Sequence, residues 1–139
     1  HELFQQHIEA LCKRLRTLGF TGMPIIRGNL SAMDRSALPP LQTVCTEILN
    51  NIAKHGKPGA FAFILSVGPD AVRIFASNLY NAAINSAPEN HYGTALIQDF
   101  AQQHNGTMTI NSENEEWSLS LTIPLAHQVK LMFSPTEKL

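Results

Sequence analysis

One stretch of fifteen residues, LQTVCTEILNNIAKH from Leu41 to His55, restricts the fold more than any other part of the chain. Laid on a helix with Glu47 at the origin, Leu41, Val44, Cys45, Ile48, Leu49 and Ile52 share an arc from roughly 60° to 200°, at about 100° per residue. Such an arc is the core-facing stripe of an amphipathic helix, and another layer must cover it. A second stripe runs beside it: Glu47, Asn51, Lys54 and His55 fall at i, i+4, i+7 and i+8. Thr43, Thr46 and Asn50 turn toward solvent. A carboxylate, an amide, an ammonium and an imidazole therefore follow the border of the buried face, where polar heads can converge on a ligand while packing holds their stems. The plain alternative is that every amphipathic helix carries polar residues at that border. For Lys54 and His55 the plain alternative is a solvated or capping cation at a helix C-terminus, where the dipole favours positive charge.

Composition sets outer limits. A chain of 139 residues and 15.3 kDa suits one domain, which buries about two-thirds of its unfolded surface. A formal net charge of -1, with no basic run, argues against nucleic acid as a partner. Cys12 and Cys45 lie on apolar helical faces without metal-ligand spacing, which fits small hydrophobes in a reducing compartment. The six histidines are scattered, so a zinc site is not expected. The longest apolar run, Ala60 to Leu65, is too short to cross a bilayer, and no signal peptide is visible. A cytoplasmic chain without direct membrane contact is expected. The helical pattern is already under way at His1, as expected for a piece of something longer.

In chain order, Leu3 to Leu18 reads as a helix with Phe4, Ile8, Leu11, Cys12, Leu15 and Leu18 recurring at three- and four-residue steps, stopped by Gly19. Met23 to Arg27 reads as a short strand, and Pro24 places it at an edge. Gly28 to Ala37 is turn-like, and Pro39-Pro40 opens the central helix. That helix ends at Gly56, with Pro58-Gly59 as punctuation. Strands follow at Phe61 to Val67 and Ala71 to Ala76. Ser77 to Tyr92 is the least regular stretch, and a loop of that length suggests a functional segment such as a lid. Thr94 to His104 is a helix closed by Asn105-Gly106. Thr107 to Asn111 and Trp117 to Ile123 are strands joined by an acidic turn, the second alternating Trp117, Leu119, Leu121 and Ile123 inward. Three helices and four or five strands, mostly hairpin-connected and covered on one face, make a two-layer α/β sandwich.

The order of these elements, and three motifs within them, resemble the GHKL (HATPase_c) superfamily of ATP-binding domains. EILNNIAKHG is similar to its N-box, with Glu47, Asn51, Lys54 and His55 on the E-x-x-x-N-x-x-K-H pattern. GTALIQDFAQQHNGTMTI is similar to its G2 box with the following helix and strand. EWSLSLTIPL is similar to the closing strand, which ends in proline in these kinases. The likeness spans residues 3 to 125 and comes nearest to the catalytic domains of DesK- and NarX-like sensor histidine kinases.

The resemblance implies a mixed, mostly antiparallel sheet with three helices on one face, an ATP lid, and ATP with Mg2+ as ligands. It implies that Asn51 ligates magnesium, that Lys54 and His55 contact phosphates, and that Glu47 orients or deprotonates a nucleophile near the terminal phosphate. It further implies that the backbone of Gly93, Thr94, Ala95 and Leu96 meets the phosphates at a helix start. Two departures stand out. Ala95 replaces the second glycine of the G2 box, and its Cβ limits close backbone approach. Where the family's G1 box carries an aspartate for the adenine amino group, this chain reads Ser77-Asn78, so Asn78 is expected to accept through its amide oxygen, more weakly than a carboxylate.

The implied activity is transfer of the ATP γ-phosphate to a histidine on a separate dimerisation domain, with a response regulator as an indirect partner. Only one helix follows His1-Glu2, which makes its likeness to an H-[DE] phosphoacceptor motif incidental, and no self-phosphorylation is expected of this chain. Residues 1–125 are expected to form the catalytic domain and 126–139 a partly disordered tail, the whole being cytoplasmic or the cytoplasmic portion of a membrane-bound sensor. Two other readings remain open: an anti-sigma-like serine kinase sharing the N-box, and a degenerate module that binds proteins rather than nucleotide.

Overall fold

The computed structural model describes residues 2–80 and 94–125. Helix α1 (Glu2–Thr17) leads through an edge strand β1 (Pro24–Gly28) and two short 3-10 turns to the central helix α2 (Leu38–His55). Then come β2 (Gly56–Val67), β3 (Ala71–Tyr80), α3 (Thr94–Gln103), β4 (Thr107–Glu113) and β5 (Glu116–Pro124). The strands form one sheet in the order β1-β2-β3-β5-β4. β1 runs parallel to β2, and every other pairing is antiparallel. The result is a two-layer α/β sandwich with a mixed sheet and three helices. Among the described residues, no helix is long and apolar enough to cross a membrane.

Most elements form where their periodicity demands. Phe4, Ile8, Cys12 and Leu15 of α1 are buried, as are Leu41, Val44, Cys45, Ile48, Leu49 and Ile52 of α2. They close over Phe63, Leu65, Ile74, Leu119 and Leu121 on the covered face of the sheet, none of which is more than 1% exposed. Each such side chain contributes about 1.5–3 kcal/mol over its exposed state. The buried cysteines respond to the same apolar surroundings. Burial pushes the Cys12 thiol up to about 11, and it pushes the Cys45 thiol higher still, with Cys12 adding to the rise. Both stay protonated and unreactive at neutral pH.

Four boundaries or orientations differ from the sequence reading. Thr46 does not face solvent: its hydroxyl donates to the Gln42 carbonyl at 2.8 Å and meets His7 Nε2 at 2.9 Å. With its own proton committed, the hydroxyl accepts from an Nε2–H, so the bond ties α1 to α2. Strand β2 starts at Gly56 rather than Phe61, because the helix passes directly into the sheet. Gly56 is extended (φ -77°, ψ 158°), so glycine serves here not for a left-handed cap but for space. A Cβ would lie 2.4 Å from Asn78 Nδ2 and 2.5 Å from the Ile52 carbonyl oxygen.

Strand β3 runs on to Tyr80 and absorbs Ser77 to Tyr80, the first part of the stretch read as a lid. The rest of that stretch, like Gly93, His1 and the tail 126–139, lies outside the described residues. The acidic turn also tightens. β4 reaches Glu113, and Asn114 (φ 51°) with Glu115 (φ 62°) makes a two-residue turn whose left-handed backbone matches the twist of the flanking strands.

Candidate functional site

The C-terminal half of α2 runs along one end of the sheet. There the polar stripe meets three residues of the covered face. Asn51 is buried (4% exposed) and His55 half-buried. Across from them stand Asn78 and Tyr80 of β3 and Trp117 of β5, and these five side chains line one crevice. It is too narrow to seat a water molecule. Sequence alternation explains the grouping. Val72, Ile74, Ala76, Asn78 and Tyr80 all point to the covered side of β3, and Trp117 is the register partner of Asn78.

Asn51 carries the feature most suggestive of a ligand. Its Nδ2 is buried and no acceptor reaches it among the described residues. Leaving such a group unsatisfied costs about 1–3 kcal/mol. An amide can present either its oxygen or its nitrogen by a half-turn, so this position can donate to an acceptor or coordinate a hard cation.

Asn78 has a structural task as well. Its Nδ2 donates to the Leu79 carbonyl at 2.7 Å. The ladder shows why that carbonyl needs a donor. Tyr80 donates its N–H to the Glu115 carbonyl at 2.9 Å, so alternation turns the Leu79 carbonyl toward β2. There, the register jumps from Gly56 opposite Tyr80 to Phe61 opposite Asn78. The intervening bulge is held instead by Thr21, which donates to the Gly59 carbonyl at 2.8 Å and accepts from Phe61 N–H at 2.9 Å. The Asn78 amide fills the gap with a donor, which an ionised carboxylate cannot supply.

The remaining expected residues are placed less uniformly. Glu47 lies one turn before Asn51 on the same stripe, half-buried, and Lys54 is exposed at the helix end. Ser77 alternates to the opposite face of the sheet and does not join the crevice. Thr94 is half-buried and Ala95 exposed at the start of α3. Leu96, whose backbone the resemblance sets against the phosphates, is 40% exposed. It lines an open groove with Pro40, Thr43, Val44 and Phe100, against the N-terminal half of α2. At 1.5 Å per residue, that part of the helix is about 10 Å from Asn51. The structure thus unites Asn51, His55 and Asn78, and places Leu96 elsewhere. Among the described residues no group of three or more His, Cys, Asp or Glu side chains is arranged to hold a metal ion.

Tyr80 and Trp117 were not singled out by the sequence. Tyr80 fell in the irregular stretch and Trp117 read as ordinary core. Continuing the period-two pattern of β3 past Ala76 would have put Tyr80 beside Asn78. The tyrosine hydroxyl hydrogen-bonds Ser112 of β4, which pins the strand ends beneath the crevice.

No protein-family model and no curated protein matches the sequence. Solved structures do. The nucleotide-free catalytic domain of histidine kinase ThkA superposes with a TM-score of 0.66 at 12% identity, over 89% of this chain and 92% of that one. Histidine kinase AdeS of Acinetobacter baumannii gives 0.67 at 11%, over 88% of this chain and 62% of that one. The blue-light-activated histidine kinase EL346 of Erythrobacter litoralis gives 0.64 at 12%, over 87% and 41%. At these identities the likeness is one of fold: the chain has the α/β sandwich of histidine kinase catalytic domains.

Proposed function

We propose that this chain is the ATP-binding catalytic domain of a two-component sensor histidine kinase, of the DesK/NarX-like kind, acting in the cytoplasm. The observation that carries the reading is the buried, unpartnered amide nitrogen of Asn51, set beside His55 and Asn78 where α2 meets the sheet. The shared fold supports it. Asn51 turns its amide oxygen to magnesium, Lys54 and His55 meet the phosphates, and Asn78 accepts from the adenine amino group through Oδ1. Glu47 orients the incoming imidazole. Bound magnesium neutralises charge on the phosphates. The reaction breaks the bond from the γ-phosphorus to the β–γ bridging oxygen and forms a phosphorus–nitrogen bond on a histidine of a separate dimerisation domain, and ADP leaves. A response regulator then takes the phosphoryl group. Residues 1–125 form the domain and 126–139 its tail.

One observation favours a different reading. The crevice is closed even to water. A module of this fold that binds proteins and no nucleotide would have such a closed crevice. Titration calorimetry with ADP, with and without magnesium, separates the two. Emission from Trp117, the single tryptophan of the sequence, gives a second readout from inside the crevice. Magnesium-dependent binding with a change in that emission is the expected result. A folded chain that shows neither favours the protein-binding module. An acid-labile phosphoprotein product distinguishes a histidine from a serine acceptor.

A further inference from the structure

Among the described residues, helices cover one face of the sheet. On the other, the pairing register sorts exposed side chains into rows that cross the strands. Ile25, Ile64 and Phe75 stand side by side on β1, β2 and β3, with Ile25 43% and Phe75 39% exposed. The neighbouring row toward one end carries Arg27, Ser66 and Arg73, both arginines exposed. Toward the other end comes a row of small residues, Ala62, Ser77 and Ser118. Beyond it lies a row of Leu79, Glu116 and Glu113, with both carboxylates exposed. Along the strands the face therefore reads cationic, large and apolar, small, anionic. In the isolated chain Glu113 sits directly opposite Glu116, a like-charge cross-strand pair that is unfavourable, and the Ile25–Ile64–Phe75 row faces water.

One occupant relieves both. We infer that this face binds the same face of a second copy of the chain, about a two-fold axis that lies in the interface and crosses the strands between the Phe75 and Ser77 rows. That axis reverses the strand direction. Each strand then lies over its counterpart, so Arg73 of one copy comes beside Glu116 of the other while Arg27, on β1, stays three strands from the nearest glutamate; Ile64 and Phe75 seat on Ala62 and Ser77, so the two faces interdigitate. Arg73 and the partner copy's glutamate at position 116 lie on neighbouring strands at the centre, and the symmetry makes the pair twice. An axis parallel to the strands would lay arginine on arginine, which like-charge repulsion opposes. Five strands about 4.8 Å apart and about seven residues long offer roughly 24 by 23 Å, which puts the dimer at the small end of specific interfaces. A net charge of -1 leaves little overall repulsion between copies. The inference does not depend on nucleotide binding.

Sedimentation equilibrium of the full 139-residue chain over the micromolar range tests it, with thermal melting to verify that each variant folds. Arg73→Glu and Glu116→Arg should each weaken the dimer at least about tenfold, since a like-charge contact replaces an ion pair. The double variant R73E/E116R, which rebuilds the pair in reverse, should return to within about threefold of the original. Phe75→Ser should weaken association without changing its salt dependence. A chain that stays monomeric overturns the inference, as does a double variant no better than the singles.

Discussion

The two ends of α2 meet the rest of the molecule by opposite rules. At the N-terminal end Leu41, Val44, Cys45 and Ile48 enter a core in which each is at most 1% exposed and no polar atom needs a partner. Even the two cysteines there behave as hydrocarbon. At the C-terminal end, the same helix buries Asn51 with an unsatisfied nitrogen, beside an asparagine that repairs a bulge and a glycine with no room for a methyl group. The first end is what stability alone would select. The second costs stability, and such a cost points to a ligand as its reason.

The contrast can be broken first from the apolar side. Ile48→Ala removes a fully buried side chain and should lower unfolding free energy by about 2–5 kcal/mol in a denaturant titration, with nucleotide affinity per folded molecule unchanged. Alkaline pH attacks the same end. The ordinary thiol value is 9.0 and Cys12 is held at about 11 in the folded chain, so the folded state keeps protons that the unfolded state gives up. This contribution is complete below pH 9 and is lost as pH climbs through the folded value. Stability should therefore fall above pH 9, and a Cys12→Ala/Cys45→Ala variant should flatten that slope.

Next comes the polar end. Asn78→Asp puts a carboxylate in place of the amide and sets it against the Leu79 carbonyl. It should cost about 1–3 kcal/mol of stability, the penalty for a buried acceptor left without a donor. If Asn78→Asp leaves stability unchanged, the bulge-capping role is wrong. Asn51→Leu should leave stability level or slightly raised, because it removes an unsatisfied group, while magnesium-dependent ADP binding drops at least about tenfold, the loss expected of a buried charge-assisted contact. Retained affinity would separate Asn51 from the metal. The smallest effect belongs to Asn50→Ala, one position round the helix, which should stay within about 0.5 kcal/mol and leave binding intact.

Much of this arrangement was legible in the sequence because it is periodic and local. The 3.6-residue repeat of α2 placed Asn51 and His55 on the border of the buried face, and the alternation of β5 turned Trp117 inward. Other features depend on which strands meet. The parallel pairing of β1 with β2, the bulge opposite Leu79, and the crevice shared by Asn78, Tyr80 and Trp117 are matters of register between distant segments. Thr46 shows the same limit: its position on α2 was read correctly, but the presence of His7 on that side was not.

The sequence by itself determined the helix phases, the inward faces of the strands and the polar stripe of α2, since each follows from spacing along a few turns or residues. Only the tertiary structure decided that Asn78 joins Asn51 while Ser77 faces away and Leu96 lies by a different groove. A one-residue step along a strand reverses the face, and contacts between elements are set by packing across the core, which no local spacing records.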